Sequence, residues 1–568
     1  METPICDFVK EYADNGFSRF HMPGHKGRNF VGCEKYDITE IDGADVLSHA
    51  DGIIKKSQEN AAKLFGSGAS FYSTEGSSQC IKTMLAVVFA DYRRKLMYEK
   101  TDKPEKLCEA PKTDKAGKPC EAPKTDRQEK LCENQNTDAM PFYENEIIEK
   151  SEAITERAYV LAARNVHKSM IDALALLDLD VEFIYPKDAD SICVSMVTPA
   201  DIMEYLEKVS DNTEIKTEEV KKILDIAEIK TEEVERKSDN AERDDIKLSD
   251  TERKNICGKD NKRNMLPMAV YITSPDYLGN TADIEGISKV CEKYDIPLIV
   301  DNAHGAYQAF LDEEKYGNIH PIKSGAAICC DSAHKTLPVL TGGAYIHVSR
   351  KYKERFAPYV ASYMTMFGST SPSYLIMQSL DMCNRYIDEK IRHELSECIG
   401  RIEKTKKVLV ENNVKIVETE PLKIVIDTAA AGMEGDKLAE EFRKHKIECE
   451  YADKYFVVLM ITPQNDEKDF ERLEKWAVET KYKRVAKKKI EPKKLILHRA
   501  ERVMSIRKAA FSPYRKIKVS DAGGSICASQ TIACPPAIPI AVCGERIDQN
   551  MISIFEEYGI DYVNVVSY

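Results

Sequence analysis

Short apolar runs alternate with helical patterns through the first 348 residues. Runs typical of buried strands lie at 158–163, 268–272, 297–300 and 326–330. Between such runs, apolar residues recur every three or four positions, the pattern of a helix with one buried face, as in Ile81, Met84, Leu85, Val88, Phe89 and Tyr92. Strands separated by helices predict an α/β fold with a mostly parallel, doubly wound sheet.

The pattern changes beyond Tyr345. A long helical region covers about 373–410, and a helix near 435–445 lies between strand-like runs at 423–426 and 456–461. This part predicts a smaller α+β domain. A basic stretch at 481–494 precedes another helix and a proline-rich segment. We therefore predict an N-terminal segment, a large domain, a small domain and a C-terminal domain, covering 1–70, 71–348, 349–480 and 481–568.

Two biased insertions interrupt the large domain, at about 98–145 and 207–263. Residues 100–135 repeat with a twelve-residue period that carries Lys-Thr-Asp, a cysteine and several charges. The heptapeptide at 214–220 recurs at 228–234. The first insertion has too few apolar residues to fold, and the second could form a charged helix. Both fall on connections, where added length costs little free energy.

Composition excludes several classes of protein. The net charge of −13 argues against a nucleic-acid surface, which needs a clustered basic face. The chain has neither a signal-peptide pattern at its start nor a run of the roughly 18 apolar residues that cross a membrane. The 17 cysteines show no paired spacing suited to zinc, so we expect no metal site. We expect a cytoplasmic protein with reduced thiols.

The candidate chemistry centres on Lys335. The segment 331–337 follows an apolar run, which places the lysine at the edge of the sheet where open α/β folds bind ligands. Most lysines are merely solvated surface residues. At this edge, however, an amine could form a Schiff base with pyridoxal 5'-phosphate (PLP).

Other stretches match what PLP requires. A Gly-Ser-Ser turn that opens a helix could bind the phosphate or merely cap the helix, and Ser332 and His334 lie beside the lysine. Asp301 follows a strand and could pair with the protonated pyridine nitrogen. His167 could stack on the ring or be a satisfied turn residue. Together they indicate a PLP enzyme, with these candidate cofactor contacts: Gly76, Ser77, Ser78, His167, Ser274, Asp301, Ser332, His334 and Lys335.

Six motifs carry a family resemblance: FHMPGHKGR (20–28), RNVHKS (164–169), TSPDYLG (273–279), VDNAHGAY (300–307), DSAHKTLPVLTGGA (331–344) and TSPSYLIMQSLD (370–381). With them the chain resembles the bacterial Orn/Lys/Arg decarboxylases, PLP enzymes of the aspartate-aminotransferase fold (fold type I). The resemblance covers nearly the whole chain outside the two insertions. Because the first motif begins at residue 20, the chain resembles the short forms of the family.

The resemblance implies roles for individual residues. Lys335 would be the Schiff-base lysine, Asp301 the partner of the pyridinium, and His167 the stacking ring. His304 would contact the cofactor or the substrate carboxylate region, and Ser332 and His334 the phosphate. In this family the active site lies between two subunits, so a homodimer or larger assembly is implied, with phosphate contacts from the neighbour's Thr370 and Ser371.

The implied reaction is decarboxylation of a basic amino acid, with arginine, lysine and ornithine left open and a role in polyamine synthesis expected. A cationic side chain requires carboxylates, for which Glu448, Glu450 and Asp453 are candidates. His25 lies in a shaped loop that could reach an anionic ligand or a partner's site, or could form only a surface turn. The family's YPPGIP motif stands here as CPPAIP (534–539), and an acidic residue that often precedes it is Gln530.

Two other readings stay open on the sequence. Another fold-type-I enzyme, such as an aminotransferase or a cysteine desulfurase, would also use a Schiff-base lysine. A PLP-fold protein could instead act as a regulatory scaffold, because fold alone does not establish activity. The combination of the first and last motifs argues against another enzyme, and the presence of Lys335 and Asp301 argues against a scaffold.

Overall fold

The structure, a computed structural model, describes residues 1–99, 158–185, 197–211, 265–430, 432–480, 497–534 and 538–567. Most of the first predicted insertion and all but the start of the second lie outside these residues, as does the proline-rich segment 535–537.

A seven-stranded sheet forms the centre of the large domain. Its strands are β1 Ala69–Ser73, β2 Tyr159–Ala163, β3 Asp180–Ile184, β4 Ala269–Thr273, β5 Leu298–Asp301, β6 Ile328–Asp331 and β7 Ala344–Val348. They lie in the order β1-β7-β6-β5-β4-β2-β3, and only β7 runs against its neighbours. Strands β2, β5, β6 and β7 are buried throughout, as expected for a sheet covered on both faces.

Helices cover both faces of this sheet. On one face lie α3 and α4, and on the other lie α5 and α6. The helices that the structure describes up to residue 336 are α1 Pro4–Asp14, α2 Ile53–Phe65, α3 Gly76–Glu99, α4 Lys168–Leu177, α5 199–211, α6 Ile284–Lys293, α7 Glu313–Tyr316 and α8 Ala333–Thr336. Alternate strand residues separate the two cores: Val160 and Ala162 face α3 and α4, whereas Leu161 and Ala163 face α5 and α6.

A smaller, four-stranded antiparallel sheet forms a second unit, in the order β10-β11-β9-β8. Its strands are β8 Ile416–Val417, β9 Lys423–Asp427, β10 Tyr451–Ala452 and β11 Phe456–Met460. The helices around it and leading into it are α9 Lys353–Met366, α10 Tyr374–Glu389, α11 Ile391–Glu411, α12 Gly435–Lys444 and α13 Glu467–Glu479. An Asp466–Asp469 capping box starts α13.

The C-terminal part contains two short antiparallel pairs. Strand β12 Tyr514–Lys518 pairs with β15 Tyr562–Val566, and β13 Thr531–Cys534 pairs with β14 Ile538–Val542. The helices here are α14 Ile506–Ala510 and α15 Gln549–Glu557. The sheets thus fall one after another along the chain, and the exact domain boundaries predicted above remain a proposal.

The element predictions hold with one change. The predicted strands and the helices near 284 and 435 are present within a few residues of their expected ends. The long helical region near 373–410 is two helices, α10 and α11, which meet at Lys390 with non-helical backbone angles. Among the described residues, no helix is both long and apolar enough to cross a bilayer.

Candidate active site

The carboxyl ends of β1, β2, β4, β5 and β6 lie at one edge of the large sheet. In an open parallel sheet this is the edge where ligands bind. The segments that leave these strand ends carry the predicted cofactor contacts of this subunit, namely Gly76, Ser77, Ser78, His167, Ser274, Asp301, His304, Ser332, His334 and Lys335. The topology therefore brings together residues that lie between positions 76 and 335 of the sequence.

Lys335 lies in the short helix α8, directly after β6. Its Nζ is 2.9 Å from Nε2 of the buried His304. Burial lowers the Lys335 pKa from its ordinary value, and the carboxylates of Asp301 and Glu450 partly offset this. Burial, reinforced by the Lys335 charge, holds the His304 pKa well below its ordinary value. The lysine can therefore donate a hydrogen bond to a neutral imidazole.

Asp301 is a buried carboxylate at the end of β5. It accepts hydrogen bonds from the Tyr271 hydroxyl at 3.3 Å and the Ala303 amide at 3.2 Å. Burial and the Asp301 charge raise the Tyr271 pKa well above its ordinary value, so the phenol remains a donor. No described side chain forms an ion pair with Asp301. Since a desolvated carboxylate without a cation is costly, the site fits a protonated pyridine nitrogen here.

His167 is the N-cap of α4, so the turn role left open by the sequence is present. The Ser169 amide donates to His167 Nδ1 at 3.2 Å, which leaves the ring proton on Nε2. Burial and the Lys335 charge lower the His167 pKa, and the Asp301 charge opposes them. The structure thus brings the imidazole near both residues; stacking on the cofactor remains a prediction.

Groups that were predicted to bind the phosphate lie at the start of α3 and next to it. Gly76 has a φ of +72°, and a Cβ there would lie 4.0 Å from the His334 ring. His334 Nδ1 is 2.9 Å from the Gly343 carbonyl oxygen, which orients the ring. Ser78 accepts a hydrogen bond from Ser169 at 2.9 Å, and the buried Ser332 hydroxyl has no partner among the described residues. A buried hydroxyl without a partner and the open N-terminus of a long helix are both groups that fit the PLP phosphate.

The other predicted cofactor contacts lie around this centre. Ser274 follows β4; its amide donates to the Asp301 carbonyl at 3.0 Å, and its hydroxyl accepts from the Ala282 amide at 3.0 Å. Thr370 and Ser371 are exposed, in the segment before α10. Their contact with a neighbouring subunit's phosphate remains a prediction.

His25 lies in the N-terminal loop. Its Nε2 is 3.2 Å from Asp37, and its Nδ1 accepts from the Gly27 amide at 3.0 Å. These bonds show a shaped turn. Contact with a partner's active site remains a prediction.

The three candidate carboxylates of the small domain face different surroundings. Asp453 accepts from the amides of Tyr455 and Phe456 at 2.7 Å each, and so shapes the β10–β11 turn. Glu448 lies 3.2 Å from Arg443. Glu450 instead accepts from the Tyr277 hydroxyl at 2.8 Å.

Tyr277 connects Glu450 to the centre of the site. Its ring packs edge-on against His304, with ring centroids 4.9 Å apart, and His304 in turn contacts Lys335. No described cation forms an ion pair with Glu450. Neither Tyr271 nor Tyr277 was singled out on the sequence, although Tyr277 lies in the TSPDYLG motif (273–279) that follows a predicted strand, which was a usable signal.

The C-terminal part is joined to the site by a buried ion pair that the sequence did not reveal. Arg164, three residues before His167, binds Glu545 with both carboxylate oxygens at 2.7 and 2.8 Å. It also donates to the Pro539 and Ile540 carbonyls, directly after the undescribed residues 535–537 of the CPPAIP segment. The bidentate pair therefore holds one flank of that segment against the end of β2.

Comparison with known proteins identifies the family. The model of the Orn/Lys/Arg decarboxylase major domain matches residues 3–97 and 244–468. The chain belongs to the Orn/Lys/Arg decarboxylase family. It is a PLP-dependent decarboxylase of basic amino acids, and the fold-type-I architecture predicted from the sequence is confirmed.

Similar proteins match along nearly the whole chain. An arginine decarboxylase of Bacillus subtilis is 23% identical over 97% of this chain and 92% of its own length, and the uncharacterized protein YaaO of the same organism is 25% identical over 97% and 93%. Among solved structures, the Francisella novicida lysine decarboxylase LdcF has a TM-score of 0.65 at 15% identity, covering 100% of this chain and 81% of the other. The structural likeness concerns the fold.

Proposed function

We propose that the enzyme decarboxylates arginine. The observation that carries this proposal is the Glu450 carboxylate, which has no cation of its own among the described residues. It accepts a hydrogen bond from Tyr277, whose ring packs against His304, the neighbour of Lys335. A guanidinium can bind a carboxylate through two parallel hydrogen bonds. The arginine decarboxylases among the full-length relatives support arginine over lysine and ornithine.

The chain's own groups account for the chemistry around the substrate. When bound, PLP supplies an electron sink for the charge that develops at Cα. Asp301 would keep a proton on the ring nitrogen, and burial lowers the Lys335 pKa, which favours the neutral amine over the ammonium. His304 accepts a hydrogen bond from the Lys335 amine. Glu450 would hold the far end of the substrate and so orient the bond that breaks.

The test is carbon dioxide release by PLP-loaded protein from arginine, lysine and ornithine in parallel. We expect arginine to have the highest kcat/KM. Glu450→Gln should raise KM for arginine about tenfold or more, the usual loss when a charge-assisted hydrogen bond is removed. Tyr277→Phe should raise KM less, because the carboxylate stays but is no longer oriented.

Glu448→Gln is the matched control, since it removes a neighbouring carboxylate that binds Arg443. It should leave KM unchanged. An equal effect of the two glutamine variants would contradict the role of Glu450. Binding of PLP without carbon dioxide release from any of the three amino acids would instead favour the scaffold reading.

We further propose that the working enzyme is a homodimer or a larger assembly in the cytoplasm, with its product used for polyamine synthesis. Three apolar side chains of the N-terminal loop region are 82–96% exposed, which suits burial against a second copy: Phe20, Phe30 and Val31. The cysteines that the structure describes are free thiols, which suits a reducing compartment. Light scattering on the purified holoenzyme tests the assembly, and a monomer at working concentration would contradict it.

A further inference from the structure

A second buried carboxylate lies beneath the active site, at the end of β6. Asp331 and its two histidine neighbours, His320 and His347, are fully buried. Asp331 Oδ2 is 3.0 Å from His320 Nε2 and 3.3 Å from His347 Nε2. Its Oδ1 accepts a hydrogen bond from the Asn302 side-chain amide at 2.7 Å. Three nitrogen groups therefore surround one carboxylate.

This arrangement keeps Asp331 ionised. Burial alone would raise its pKa, but the two histidines outweigh burial and hold the pKa well below its ordinary value. His347 Nδ1 is 2.7 Å from the Ser70 hydroxyl, which can donate to it and leave the proton on Nε2. That nitrogen lies 3.3 Å from Asp331 Oδ2, close enough for electrostatic attraction but without hydrogen-bond geometry. An anion with nearby N–H groups is stable in a site that water does not reach.

Asn302 connects this carboxylate to the catalytic residues. It follows Asp301 directly and precedes His304 by two positions. Its backbone amide donates to the Cys330 carbonyl at 3.0 Å, and its own carbonyl accepts from the Gly305 amide at 2.8 Å. The side chain fills the turn closely, since a Cβ on Gly305 would lie 2.1 Å from Asn302 Oδ1. Asp331 thus determines which way the Asn302 amide points.

We propose that Asp331 is a positioning residue, which holds the Asp301–Gly305 turn and the segment leading to Lys335 in the geometry that binds PLP. The Asp331 carboxylate fixes the Asn302 side chain in the first of these segments. Asp331 itself begins the second segment, in which Lys335 lies four residues later. The proposal rests on the PLP-dependent activity and is independent of which amino acid is the substrate.

The same residues raise the question of a metal ion. His320, Cys329 and Asp331 offer ligand atoms within 4.8 Å of one another. The N–H groups around Asp331 already account for this arrangement, so the proposal requires no ion. One equivalent of tightly bound metal in purified protein, measured by inductively coupled plasma mass spectrometry, would overturn it.

The decisive experiment exchanges the two hydrogen-bonding side chains. In Asp331→Asn, the NH2 group of the new amide faces an N–H donor, either of a histidine or of Asn302, so that one donor loses its acceptor. In Asn302→Asp, two carboxylates face each other. Each single variant should raise the Kd for PLP about tenfold to a hundredfold, the range for an unsatisfied buried polar group. The double variant should recover most of the affinity, because the amide introduced at position 331 can accept from the histidines and donate to the carboxylate introduced at position 302.

Two controls separate positioning from general stability. Asp381→Asn makes the same change at another buried carboxylate, which accepts from the Ile5 and Cys6 amides at 2.9 and 3.0 Å. It should lower the apoenzyme Tm and leave the PLP Kd unchanged. Should Asp331→Asn not fold, His320→Gln, which retains a donor, should bind PLP more tightly than His320→Leu.

Titration of apoenzyme with PLP, followed by the visible band, measures each Kd. An unchanged Kd in Asp331→Asn, or a double variant no better than the single ones, would overturn the proposal. Failure of the arginine assignment would leave these Kd values as predicted, because they are measured without substrate.

Discussion

The buried pair of Arg164 and Glu545 allows a quantitative prediction. Their side chains are 1% and 2% exposed, and Glu545 also accepts from the Val542 amide at 2.8 Å. Burial by itself would lower the Arg164 pKa, but the Glu545 carboxylate outweighs burial and raises it. The guanidinium therefore stays charged when its partner is changed. Glu545→Gln leaves a buried charge without a counter-ion.

The expected cost follows from this environment. Removing one partner of a buried ion pair destabilises proteins by about 3–5 kcal/mol. The Pro539 and Ile540 carbonyls still accept from Arg164 in the variant, so we expect about 3 kcal/mol, the lower end of that range. Glu501→Gln is the matched control at an exposed pair with Arg546, where less than about 1 kcal/mol is expected.

Urea unfolding followed by two probes measures the difference. Circular dichroism reports the whole chain, whereas fluorescence of Trp476, the only tryptophan, reports the small domain. In Glu545→Gln the midpoint measured by circular dichroism should move to a lower urea concentration, and the midpoint measured by Trp476 fluorescence should move less. Equal unfolding midpoints for Glu545→Gln and Glu501→Gln would refute the reasoning, because they would mean that the buried charge carries no penalty.

Two further predictions concern lysines in and near the site. Since burial lowers the Lys335 pKa, the neutral amine is present at lower pH than for an ordinary lysine, near 10.4. The rate at which apoenzyme captures PLP, measured by stopped-flow absorbance, should therefore reach its plateau at a lower pH than the reaction of PLP with an ordinary lysine side chain. Lys335→Ala should form no covalent band. A plateau at the same pH as the ordinary lysine, or at a higher one, would contradict this. The Lys423 ammonium lies 2.9 Å from the buried Glu420 carboxylate. Lys423→Met should lower the free energy of unfolding by about 3–5 kcal/mol, because it leaves that buried carboxylate without its cation. Urea unfolding checks this, and recovery in Lys423→Met/Glu420→Gln is expected if the unpaired charge is the cause.

Much of the site followed from the sequence, because its physical basis is local. Apolar runs followed by Asp301 and by Lys335 predict parallel strands with polar groups at one edge, and parallel strands place those ends together. The helix that begins at Gly76 could also be predicted, because its apolar residues recur at helical spacing along a single segment. His167 shows the limit of such reasoning, because the structure shows it as a satisfied turn residue, whereas its stacking on the cofactor ring remains a prediction.

The sequence alone indicated the α/β pattern, four of the seven strands of the large sheet, the edge that carries the chemistry and, through its motifs, the family. Only the tertiary structure decided which acidic residues meet which partners. Glu448 and Glu450 are two positions apart and point to different neighbours, and Arg164 meets Glu545 across 381 positions. The physical reason is that periodicity along a chain reports burial and secondary structure, whereas ion pairs and hydrogen bonds between distant segments depend on how strands cross and domains pack.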